Sequence, residues 1–209
     1  MKMILAVLTA LALPSLAIAD GPVAQKPTAP APAPAKTKLA DEDVKLVAHV
    51  HHVNMMEISM GKLAKVKGTA GVKKYGEMLV KDHTVADKDL VVFAKSKGIA
   101  KIPADVPPTE AEKKEHAETM AKMKALKTMK GAAFDREFLA MMQVGHDTEV
   151  MKLDAALPGI KDADLAMKMQ DFRPVLQRHA DTARELNKDV PAVSIAPDKA
   201  APNAPTAKK

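Results

Sequence analysis

The chain contains no cysteine. That excludes a disulfide framework, a thiolate metal site, a cysteine nucleophile and a lipid-modified cysteine. It has no tryptophan, one tyrosine and four phenylalanines in 209 residues, and runs of Val, Ile and Thr are few. Ala, Met, Leu, Lys and the acidic residues dominate instead, which favours helix over sheet. No phosphate-cradling glycine loop occurs, because Gly68-Thr69-Ala70-Gly71 is not followed by Lys-Ser/Thr. There is no H-E-x-x-H pair and no nucleophile arrangement. The Glu-x-x-His of ferritin-type di-iron centres is also missing: Val80 stands three residues before His83, and Leu176 three before His179. Di-iron oxidase chemistry is therefore not expected. The net charge of +6 comes from basic residues interspersed with acidic ones. Without a clustered basic face or stacking aromatics, no nucleic-acid partner is expected.

What is present divides into four segments. Met1 to Ala19 has the form of a secretory signal, with Lys2 at its start, an apolar run from Met3 to Leu13 and an Ala17-Ile18-Ala19 cleavage site. The apolar run is too short to span a bilayer comfortably. The expected mature protein begins at Asp20 and is exported to the periplasm or envelope of a bacterium. Residues 20–40 form a Pro/Ala-rich linker with Pro27, Pro30, Pro32 and Pro34, a composition that reads as an extended tether. Residues 41–190 carry the helical patterning, and residues 191–209 read as a disordered tail.

Within 41–190 four long amphipathic stretches alternate apolar positions at steps of three and four. The first, Asp41 to Lys67, has the seam Leu46, Val50, Val53, Glu57, Met60, Ala64. The second, Gly71 to Lys97, has Val72, Gly76, Leu79, His83, Ala86, Leu90, Phe93 and stops at Gly98. The third, Ala132 to Leu157, has Phe134, Phe138, Met142, His146, then Glu149 or Val150, then Leu153. The fourth starts at Ala163 with Leu165, Met169, Phe172, Leu176, His179, Ala183, Leu186, and a bend is expected near Pro174. Each seam carries one ionisable residue where a leucine would be ordinary. Between the second and third stretches, Thr109 to Lys130 reads as a charged crossover helix, opened by a Thr109/Glu112 capping box and ended by Gly131.

Short loops make the first pair and the last pair antiparallel. A connecting helix of about 20 residues spans ~30 Å, enough to return the chain lengthwise and set the third stretch parallel to the second. The predicted fold is all-α, a ferritin-like four-helix bundle with a long helical crossover. Counted along the axis, Glu57, His83, His146 and His179 then fall within about 8 Å of one another. Such a layer has two readings. As a metal site, three imidazoles and a carboxylate suit Fe, Zn, Mn or Cu, with Glu149 sharing the face of His146 as a further ligand and Asp82 and Asp87 as orienting acceptors for His83. As a structural layer, Glu57 pairs with a histidine and the rest hydrogen-bond across the bundle, fixing register. Spacing alone leaves both open.

Other residues invite weaker readings. His49 and His52 are three apart and form either a two-histidine metal patch or a solvated cluster with His51; His116 is expected in solvent. Met56, Met60, Met142 and Met169, among 14 methionines, would surround the layer as core filler or as thioether donors to Cu(I). Tyr75 is two turns from His83 and is assigned to packing.

The stretches Met56-Glu57-Ile58-Ser59-Met60-Gly61-Lys62-Leu63-Ala64, Met78-Leu79-Val80-Lys81-Asp82-His83-Thr84 and Phe134-Asp135-Arg136-Glu137-Phe138, with His146 and His179, resemble the bacterial domain-of-unknown-function family 4142. The resemblance covers about Asp41 to Lys188 and implies an exported ferritin-like bundle, often associated with the outer membrane. It implies no established reaction, substrate or metal. The expected function is transition-metal binding through the buried layer in a metal-handling or stress role. The alternative is a non-catalytic structural or interaction protein of the envelope. An enzyme would need an open coordination position and a substrate channel, and the sequence patterns neither.

Overall fold

The computed structural model describes residues 38–107 and 109–191. The expected signal segment, most of the linker and nearly all of the tail lie outside these residues. Five α-helices are formed, α1 (Asp41–Lys67), α2 (Ala70–Ser96), α3 (Glu110–Leu126), α4 (Gly131–Ala156) and α5 (Ala163–Lys188), with a 3-10 turn at Leu157–Gly159. There is no strand among the described residues.

Local chemistry sets most helix ends. The acidic first turn of α1, Asp41, Glu42 and Asp43, complements the helix dipole. Gly98 adopts a positive φ of 87° just past α2, where any other residue would be strained. The Thr109/Glu112 capping box opens α3 as expected. Asp162 caps α5 by accepting from the Leu165 amide at 3.0 Å. Two boundaries differ from expectation. The crossover helix stops at Leu126 rather than at Gly131, and Gly131 instead begins α4 with φ of 57°. Helix α5 continues through Pro174, which sits on an exposed face beside exposed Gln170, so the carbonyl deprived of its donor is within reach of water.

The topology is the one-crossover arrangement. Leu39, just before α1, clusters with Phe93 from the end of α2, Leu153 from the end of α4 and Leu165 from the start of α5. At the other end Ala64, Tyr75, Phe134 and Ala183 share a second cluster. Helix α4 therefore runs parallel to α2. A buried carboxylate fastens each end. Asp43 accepts from the amides of Lys161 and Asp162 (3.1 and 2.9 Å), tying the α4–α5 turn to α1. Asp135 accepts from the Thr69 amide at 3.2 Å, tying the α1–α2 turn to α4. These acceptors satisfy backbone donors that helix starts and turns leave open. The seams fall largely as patterned, except that Val47 rather than Leu46 is buried on α1 and Val150 rather than Glu149 on α4, while Ala86 and Leu186 are half-buried.

The first pair of helices approaches closely through two glycines. A Cβ on Gly76 would lie 2.6 Å from the Gly61 carbonyl oxygen, and one on Gly61 would lie 2.7 Å from that of Gly76. Both obstacles are backbone and cannot step aside. We expect Gly76→Val to lower the unfolding free energy by about 1–3 kcal/mol, the usual range for overpacking, as read by urea denaturation.

Candidate metal centre

The two apolar clusters are separated by a polar layer. Glu57 from α1, His83 from α2, His146 from α4 and His179 from α5 are all buried, the two rings His83 and His179 completely. The ring centroids lie 5.1 to 5.8 Å apart, and one donor nitrogen from each histidine falls within 4.8 Å of the others.

Each ring is held through its opposite nitrogen. His83 Nδ1–H donates to Asn54 Oδ1 at 2.8 Å. His146 Nδ1–H donates to the Met142 carbonyl at 2.8 Å. His179 Nε2–H donates to Asp82 Oδ2 at 3.1 Å, and Arg178 donates to the same oxygen at 2.7 Å. These bonds fix the tautomers and leave His83 Nε2, His146 Nε2 and His179 Nδ1 as lone pairs. Those three atoms have no hydrogen-bond partner. Buried polar atoms normally find one, so three orphans converging on one point call for an explanation. Glu57 Oε2 is a fourth buried atom without a partner, 4.0 Å from His146 Nε2, beyond hydrogen-bonding distance.

The surroundings disfavour charge on two of the rings and on the carboxyl. Burial pushes the His179 imidazole down to about 4, with the nearby His146 ring adding to the effect and the Asp82 hydrogen bond opposing it. Burial, then the rings of His146 and His179, hold His83 well below its ordinary range. Burial raises the Glu57 carboxyl above its usual range, so it favours the protonated form. Neutral imidazoles are the form that binds a metal ion. Ligand nitrogens around a bound ion sit at ~2.1 Å from it and so roughly 3.4 Å from each other. Inward shifts below about 1 Å would close the triad to that geometry.

The structure places the other sequence candidates elsewhere. Glu149 lies on the half-buried rim, where its Oε2 accepts from His49 at 2.8 Å and its Oε1 from Lys152 at 3.1 Å, and it is not in the donor group. Asp87 pairs with His51 at 2.6 Å and Asp82 with His179, so neither orients His83. His49 and His52 do not act together: His49 bridges Asp105 (3.0 Å) and Glu149, while the His52 ring faces His116 at 5.6 Å. Tyr75 is a neighbour of the layer after all, through α5 rather than α2. Its hydroxyl donates to the His179 carbonyl at 3.1 Å, and its ring stands edge-on to the His179 ring. Asn54 was not singled out from sequence; it is fully buried one turn before Glu57, and a polar residue on that buried face was the available signal.

The sequence profile described as a domain of unknown function (DUF4142) matches residues 28–186. No curated protein matches the chain in sequence. Among solved structures, CopM in its Cu(I)-bound form is similar in fold, with a TM-score of 0.53 and 17% identity over 70% of this chain and 94% of that one. No helix among the described residues is long and apolar enough to cross a membrane.

Unfolded histidines take up protons near pH 6.5, whereas the folded His179 does so near 4 and His83 far below its ordinary range. Acidification from pH 6.5 toward 4 therefore favours unfolding through these two rings. His49 is shifted upward, chiefly by its bond to Glu149, so its pairing is lost as pH rises instead. Nitrogen NMR of the metal-free protein at pH 5.5 should show neutral rings for His83 and His179 and a protonated ring for His49. Protonated signals from all three would contradict this assignment.

Proposed function

The chain belongs to the DUF4142 family, and we propose that it is an exported metal-handling protein that holds one transition-metal ion at His83, His146 and His179, with Glu57 beside them. The observation that carries this reading is the set of three partnerless imidazole nitrogens within 4.8 Å of one another, each on a ring anchored from its far side. A layer that served only to set helix register would pair its members with each other. Here the hydrogen bonds point outward and the acceptors point inward.

Three imidazole nitrogens without a thiolate suit a d¹⁰ ion, Cu(I) or Zn(II), which imposes little geometric demand of its own. The fold likeness to a protein solved with Cu(I), together with the methionines near the layer, favours Cu(I). Burial disfavours charge on Glu57, and a divalent ion would offset that more than a monovalent one. Export rests on the leader-like residues 1–19.

Protein purified without an affinity tag should take up close to one equivalent of Cu(I) in competition with a chromogenic chelator. His83→Asn combined with His146→Asn should abolish that uptake. Asn54→Leu, which frees the His83 ring, should weaken it about 10- to 100-fold, the usual effect of losing an orienting partner. Absence of stoichiometric uptake of either Cu(I) or Zn(II), or uptake indifferent to the double substitution, would overturn the proposal.

A further inference from the structure

A glycine in the interior of a long helix costs about 0.5–1 kcal/mol relative to alanine, so it needs a reason. Gly61 and Gly76 have one in the close approach of α1 to α2. Gly145, in the middle of α4 and next to His146, does not: a Cβ there would meet nothing within 4 Å, and its φ is not positive. The space it leaves belongs to a cavity of about 530 Å³ between α3, α1 and α4.

That cavity reaches from the protein surface to the polar layer. His52 and His116, with the latter exposed, stand along its outer part, and Glu57 and His146 are at its inner end. The methionines Met56, Met123, Met129 and Met141 also line it. Thioethers suit a soft cation and imidazole also binds copper, and both line the cavity. Carboxylates outnumber lysines on the walls, with Asp105, Glu112, Glu115 and Glu149 among them against Lys122 and Lys152, although the whole chain carries +6. Such a lining concentrates cations locally against the sign of the net charge. The outer wall is α3, whose only buried residue is Leu126, so this helix covers the cavity while adding little to the core.

We propose that this cavity is the route by which a soft monovalent cation, Cu(I), reaches the buried histidines, and that Gly145 keeps it open. The inference rests on the binding function proposed above and adds how the site is loaded. A side chain at 145 would occupy the passage beside His146 without entering the packed core.

The test separates rate from capacity. Cu(I) is transferred from a chromogenic chelator to the full chain, and both the rate of uptake and the final stoichiometry are recorded. Gly145→Phe should load at least 10-fold more slowly than the unaltered protein and still reach the same stoichiometry. Val92→Phe, at an exposed position of α2 away from the cavity, should load at the unaltered rate. Thr119→Phe approaches the passage from α3 and should also slow loading. It does not touch α4, and so serves if Gly145→Phe fails to fold. Full uptake at the unaltered rate by the folded blocked variants would overturn the route and leave the binding site standing. No uptake of Cu(I) by the unaltered protein would overturn the route, and no uptake of Zn(II) either would overturn both.

Discussion

Three histidines are placed in an oily interior with their N–H groups turned outward and their lone pairs turned inward. Most other features follow from that constraint. An imidazole that donates through one nitrogen has a bare acceptor at the other, and burial keeps it from being relieved by a proton: His83 and His179 are both held below their ordinary range. Glu57 is biased toward its neutral form by the same burial. The layer is thus polar and under-bonded at once: three imidazole nitrogens, Glu57 Oε2 and Asn54 Nδ2 all lack partners.

The arrangement depends on the routing of the chain. His83 and His146 are brought level only because α3 returns the polypeptide, so that α2 and α4 start at the same end. Asp43 and Asp135 then act as buried latches at opposite ends, each accepting from turn amides of the neighbouring hairpin. A charge-assisted bond of this kind is directional, so the latches fix the axial position of each helix pair where apolar packing alone tolerates slippage. Axial position is what the layer needs, since a slip of one turn, about 5.4 Å, would carry a ring out of reach of its partners.

Much of this was legible in the sequence. The three-and-four spacing gave the seams, and an ionisable residue on each seam gave the layer once the crossover was assumed, because axial height along a helix is a matter of counting. The capping box at Thr109 and the stop at Gly98 were local signals and came through unchanged. What counting cannot supply is rotation about the axis. Glu149 and Val150 are 100° apart on α4, and the sequence left either as the seam residue; the structure puts Val150 inside and Glu149 on the rim beside His49. Orienting partners escaped for a related reason. Asp82 is adjacent to His83 in sequence, but adjacent residues on a helix do not face each other, and it reaches His179 on α5 instead. Asn54 needed knowledge of which face of α1 opposes α2. Asp43 looked like a dipole charge and is a buried latch. These are interhelical facts, set by packing that no single stretch encodes.

The layer also carries a cost that packing does not explain. Leaving a buried polar atom without a partner costs about 1–3 kcal/mol, and three imidazole nitrogens and a carboxyl oxygen do so here. Leucines in the same slots would join the two apolar clusters into one continuous core, each adding about 1.5–3 kcal/mol of burial. The Asp43 and Asp135 latches and the Gly61–Gly76 approach also fix the helices against each other, without the histidines. On the proposed function, that cost is what a bound ion would remove. Binding to the folded state alone would return that stability as the ion's own free energy of binding, so metal-free weakness and metal-bound firmness would be two sides of one arrangement.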